Sequence, residues 1–151
     1  MALDMYLLED IYIGGHPAFK DIEDFIKLPS SNSDKETIIK IKDIGSISIL
    51  RGQWKNTTAI HKWFTKEYPD IFSNSNFSYV ANDKLQDLLE ICREVFKDRS
   101  KAVELLPSNT GPDFTSDAPD DKYYMDDIEY TILVLEGLDL KTGLYRYQAS
   151  W

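Results

Sequence analysis

Apolar positions change period several times along the chain, and each change predicts an element. "MALDMYLLEDIYIGG" is short, rich in Tyr, Ile and Leu, alternates imperfectly and stops at Gly14–Gly15, which predicts an opening strand. Residues 16–35 include the polar stretch "LPSSNSDK" and are expected to form a loop. In "ETIIKIKDIGSISIL" Ile39, Ile41, Ile47 and Ile49 alternate about Asp43 and Gly45, so a hairpin is expected over residues 36–50. The period then lengthens. Ile60, Trp63 and Phe64 share a stripe on a helix expected over residues 57–68, with Asn56 or Thr57 as cap and Pro69 as stop. Leu85, Leu88, Leu89, Cys92, Val95 and Phe96 mark a stronger helix over 82–97, where Asp83 and Gln86 resemble a capping box. "SKAVELLP" adds a short helix, and 107–121 is loop material. A further helix over about 122–137 carries Tyr124, Ile128, Thr131, Ile132 and Leu135, with Gly137 to close it. In 144–151 Tyr145, Tyr147, Ala149 and Trp151 alternate with polar or smaller neighbours, as in a half-buried strand.

The expected fold is therefore α+β. A small antiparallel sheet of the N-terminal strand, the 36–50 hairpin and the 144–151 strand is packed by three amphipathic helices. The 151 residues fit one domain with a core of its own, and no internal repeat or linker divides them.

Charge changes the picture next. Twenty-six acidic against 17 basic residues give a formal net charge of −9, and the basic residues are scattered. Such a surface repels phosphate backbones, so direct nucleic-acid binding is not expected. A basic protein partner or a divalent cation suits it better. A lone cysteine within an apolar helix, an acid at position 4 instead of a basic leader and no long apolar run point to a cytoplasmic chain without a membrane span.

Candidate chemistry is sparse. His61 sits about 100° from Ile60, at the boundary of the helix stripe. There an imidazole can serve either packing or general-base chemistry. Cys92 lies on a packing face. No GxSxG, HExxH or glycine-rich phosphate loop occurs, and Asp113, Asp117, Asp120 and Asp121 do not have EF-hand spacing. Asp126 and Asp127 are adjacent, so they point apart on a helix. Trp54, Trp63 and Trp151 could stack a flat ligand or fill a core.

The ordered set LDMYL, W-K-N-x-x-A-I-H-x-W-F (54–64), ELLP-x-x-x-G (104–111), F-x-S (114–116) and YYxxDIxxTI (123–132) resembles a family of small bacteriophage and prophage proteins. Some members carry the label phosphoglycerate kinase, an enzyme of two lobes for which 151 residues leave no room. The chain departs from the family at Ala2, where glycine is usual. It has Lys55 alone in place of an Arg-Lys pair, and Gly111-Pro112-Asp113-Phe114 in place of a run of aromatics. The resemblance implies a phage or prophage accessory protein in the host cytoplasm, and it adds weight to Trp54, Asn56 and His61. With Ser116, Tyr124 and Asp127 these form the expected ligand-binding set. No catalytic set, metal site or cofactor is assigned.

Three functions follow as expectations. The first is a non-enzymatic binding protein that engages a host protein or sequesters a small ligand. The second is a small hydrolase or transferase, with His61 as base or metal ligand and Asn56 or Asp127 orienting it. The third is a homo-oligomer whose 144–151 strand pairs across a two-fold axis.

Overall fold

A computed structural model describes residues 3–19, 21, 23–29, 36–72, 77–108 and 122–150. They group into two compact units, Met1–Glu9 with Leu50–Trp151 and Asp10–Ile49. The α+β class expected from the periodicity is the class found. Among the described residues no helix is long and apolar enough to cross a membrane.

The larger unit is built on an antiparallel sheet of order β4-β1-β6-β5, with β1 at Asp4–Tyr12, β4 at Ser46–Lys55, β5 at Phe77–Val80 and β6 at Tyr145–Ser150. Strands β1 and β4 begin or end in the smaller unit. In the ladder Met5 faces Ala149 and Leu7 faces Tyr147, while Val80 faces Tyr145 from the other side. All six are buried, so the alternation of β1 and β6 puts one apolar face inward. β6 lies between β1 and β5 and carries a ladder on each side, so the pairing found for it is within the sheet rather than across a two-fold axis.

Four helices complete this unit: α1 (Thr58–Glu67), α2 (Asn82–Lys97), α3 (Ala102–Leu105) and α4 (Lys122–Glu136). In α2 the residues Leu85, Leu88, Leu89, Cys92 and Val95 are buried as their spacing requires. Phe96, expected in the same stripe, lies beyond its edge and is 48% exposed. α4 buries Tyr124, Ile128, Thr131 and Leu135, with Ile132 half-buried, and packs along α2. Gly137 follows it and donates to the Leu133 and Val134 carbonyls.

The capping expectation for α1 holds in position but not in its side-chain hydrogen bond, and that for α2 does not hold. Thr57 is the N-cap of α1, but its hydroxyl is turned elsewhere, and Ala81 caps α2 with no side-chain oxygen. Asp83 Oδ1 accepts from the neighbouring Lys84 N–H, and Gln86 donates to Glu90, so no capping box forms.

In the smaller unit β2 (Phe25–Pro29) pairs antiparallel with β3 (Glu36–Lys40) as a separate two-stranded sheet. The loop expected over 16–35 therefore contains a strand, besides a 3-10 turn at Pro17–Phe19; residues 30–35 lie outside the described residues. The hairpin expected over 36–50 is also corrected. Both of its strands exist, but they belong to different sheets. A 3-10 turn at Ile41–Asp43 separates them, and the Gly45 carbonyl accepts from both Ile13 N–H (2.9 Å) and Gly14 N–H (2.8 Å). The start of β4 is thus captured by the end of β1. Glycine is needed at position 14, where a Cβ would lie 3.1 Å from the Gly45 Cα.

Candidate functional site

The expected site residues cluster in sequence around the junction of β4 and α1, where the backbone has to reverse. Asn56 makes that junction at φ 58°, a left-handed conformation that asparagine tolerates better than most residues. Its N–H donates to the Leu3 carbonyl, and its side-chain Oδ1 accepts from the Leu3 N–H, both at 2.8 Å. The amide side chain supplies the acceptor that a continuing strand would have offered. Asn56→Ala is expected to cost about 2 kcal/mol, combining the strained φ with one lost hydrogen bond. Asn56→Gly should lose only the bond, and chemical denaturation of the two variants separates the terms.

Trp54, two residues earlier, is 2% exposed. Its indole N–H donates to Thr131 Oγ1 (2.9 Å), and that hydroxyl donates to the Asp127 carbonyl (2.7 Å). The ring meets Tyr130 edge to face at 6.0 Å. Thr57 donates its hydroxyl to the Asp127 carboxylate at 2.8 Å, which explains why it does not cap α1. Trp54, Thr57 and Asp127 are therefore brought together, as a clasp between the β4–α1 junction and α4.

His61 lies on α1, one turn in from its start. It is 6% exposed, and its Nδ1 lies 2.7 Å from the hydroxyl of Tyr147, itself fully buried and stacked on Phe64 at 3.9 Å. Burial lowers the His61 pKa to about 4 and raises that of the Tyr147 phenol, so both are neutral at pH 7. A buried phenol needs an acceptor. Tyr147 therefore donates to Nδ1, and the ring proton sits on Nε2. The Nδ1 lone pair is already engaged, and an imidazole of pKa about 4 is a weak base at neutral pH. This geometry positions α1 on β6.

The remaining candidates are also internal. Tyr124, 2% exposed, donates its hydroxyl to the Leu106 carbonyl at 2.8 Å, and burial pushes its pKa up. Ser116 lies outside the described residues. The buried Cys92 thiol is pushed up to about 12, so it stays protonated and unreactive. Among the described residues no group of three or more His, Cys, Asp or Glu side chains could hold a metal ion.

Two residues that organise this region escaped the sequence reading. Thr131 was visible as a polar residue within an apolar helix face, which signals a buried polar partner. Tyr147 was visible as buried, but nothing local pointed its hydroxyl at a histidine 86 positions away. Comparison of the chain with protein-family models, with curated proteins and with solved structures finds no match in any of the three.

Proposed function

We propose that the chain is a non-catalytic binding protein of phage or prophage type, and that it engages a host protein through its Asp10–Ile49 unit. The observation that carries this reading is the apolar surface of that unit. Among its described residues only Asp10 and Ile13 are buried, whereas Ile11, Tyr12, Phe25, Ile26, Leu28, Ile38 and Ile47 are exposed. In the ladder Ile26 faces Ile39 and Leu28 faces Thr37, giving one face of the ribbon without a charge. Phe25 and Ile38 stand on the opposite face beside Lys27 and Lys40.

A two-stranded ribbon is marginal in water and cannot bury two apolar faces by itself. Exposed apolar patches of this kind mark interaction surfaces. Each ribbon strand also has one edge with no ladder partner among the described residues, the feature used when a partner's extended segment adds to a sheet. The internal placement of His61, Cys92, Tyr124 and Tyr147 supports the same reading, since the groups with catalytic potential serve packing. The resemblance to small phage proteins supplies the setting, a bacterial host.

The test is site-specific photo-crosslinking in host cells, with the probe at Ile26 (39% exposed), on the same face as Leu28, and a control probe at Leu133 (64% exposed). A discrete adduct is expected from position 26, absent from position 133, and reduced about tenfold by Leu28→Asp. Because Leu28 is exposed, the melting temperature should hardly change. Equal labelling from both probes, or an adduct indifferent to Leu28→Asp, argues against the reading.

A further inference from the structure

The two outer edges of the β2–β3 ribbon differ in what they offer. Ile41 N–H donates to the Asp24 carbonyl at 3.0 Å, one step beyond the Phe25–Lys40 pair. Bonded and non-bonded pairs alternate along an antiparallel ladder, so this bond fixes the phase of the whole ribbon. Ile26 bonds to Ile39 and Leu28 to Thr37. Phe25, Lys27 and Pro29 of β2, and Glu36, Ile38 and Lys40 of β3, therefore turn their backbone groups outward. Proline has no N–H, so the edge of β2 is incomplete. β3 presents a donor and an acceptor at each outward residue, and no other strand among the described residues pairs with that edge.

The sequence of β3, Glu36-Thr37-Ile38-Ile39-Lys40, is its own complement. Paired antiparallel with an identical strand about Ile38, it sets Ile38 opposite Ile38, Thr37 opposite Ile39, and Glu36 opposite Lys40 at both ends. The outward residues of the two strands then face each other, and each such pair exchanges two backbone hydrogen bonds. β2 lacks this symmetry. Pairing it about Lys27 sets two lysines against each other and puts Pro29 where a donor is needed.

We propose that β3 pairs with β3 of a second copy of this chain, joining two ribbons into one four-stranded antiparallel sheet across a two-fold axis. A two-stranded ribbon is marginal in water, and a sheet of three or more strands is not. Glu36 lies 3.2 Å from Lys27 in its own ribbon, and the pairing adds Lys40 of the second copy beside it. On one face Leu28 and Thr37 of one copy continue into Ile39 and Ile26 of the other, a row without a charge. The host-protein reading rests on the faces of the ribbon and the dimer on its edge, so either can fail without the other.

Sedimentation equilibrium of the full chain measures the association. The joined edge is five residues long, short for a stable interface, so dimers are expected at about 100 µM and monomers at about 1 µM. Lys40→Glu and Glu36→Lys each set like charges opposite at both ends, and each should weaken association about tenfold or more. Mixed together, the two variants regain opposite charges and should associate again. Ile38→Cys should form a disulfide-linked dimer under mild oxidation, because a bonded pair holds its Cα atoms about 5.5 Å apart, within disulfide reach. Lys27→Cys, on the outer edge of β2, is the control and should cross-link far more slowly; the native Cys92 is buried. These positions are exposed, and ribbon amides that stay dispersed in nitrogen-15 spectra will show that the ribbon is retained. The proposal is overturned if the chain stays monomeric at about 500 µM, or if Ile38→Cys cross-links no faster than Lys27→Cys. It is also overturned if Lys40→Glu leaves the association unchanged, or if mixing the two charge variants restores none of it.

Discussion

Trp54→Ala is expected to lower the unfolding free energy by about 4 kcal/mol, the largest single effect at the β4–α1 junction. Its ring is 2% exposed and fits a space that only a glycine at position 52 allows, where a Cβ would lie 2.8 Å from the indole and 2.9 Å from Val134. Truncation therefore leaves a cavity between β4 and α4 that rigid neighbours cannot fill. Two milder variants divide the loss. Trp54→Phe keeps an aromatic ring but removes the donor to Thr131, which should cost about 1–2 kcal/mol. Thr131→Val leaves the indole N–H buried without its acceptor, and should cost about 1–3 kcal/mol. Urea titrations with unchanged m-values will measure all three. Total stabilities of small domains are about 5–15 kcal/mol, so the alanine variant should sit near the edge of folding. A cost below about 1 kcal/mol would show that the clasp contributes little.

The second large effect is an acid-dependent loss of stability that runs through His61. The folded pKa is about 4, against 6.5 for an unperturbed histidine, because burial disfavours the imidazolium. The unfolded chain therefore binds the proton first as pH falls. Stability from this group is complete above pH 6.5 and declines as pH drops toward 4. At 1.36 kcal/mol per pH unit, the loss by pH 4.5 is about 2.5 kcal/mol. Carboxylates contribute in the same range, so the wild type alone cannot assign the effect. His61→Gln isolates it, since glutamine keeps an acceptor for Tyr147 but does not titrate. The wild type should lose about 2.5 kcal/mol more than His61→Gln between pH 7.5 and 4.5, measured by denaturation at each pH. Parallel losses in the two proteins would mean that the imidazole is protonated without unfolding.

What could be read in advance follows from the range of the forces involved. α2 spans Asn82–Lys97, the range its leucine spacing predicts, because a long apolar stripe needs no partner to be recognised. The inward residues of β6, Tyr145, Tyr147 and Ala149, were legible from alternation, whereas β1 could be expected as a strand but its inward residues were not. Pairing was not legible. The isoleucines of 36–50 mark strands but do not specify a ladder, and the choice was made by β2 on one side and β1 on the other. β5 is four residues long, too short for period two to stand out. Among the candidate residues, Asn56 was found as a possible helix cap that recurs in the family pattern, and His61 as a polar residue at the boundary of an apolar helix stripe. Their roles depend on Leu3 and Tyr147, which approach from the far ends of the chain.

The position of β6 has a consequence for synthesis. It follows the other described strands in sequence, yet it occupies an interior place in the sheet, with Asp4 facing Ser150 across one ladder and Phe77 facing Gln148 across the other. A ribosome must release residues 145–150 before β1 and β5 can be joined, so the nascent chain carries the inward faces of Met5, Leu7 and Val80 uncovered until then. Ladders this distant in sequence close slowly, and a stalled or truncated product ends with those faces open to aggregation and to proteases. A chain halted before residue 145 cannot complete this sheet, so any partner that recognises the folded larger unit meets no copies stalled short of β6.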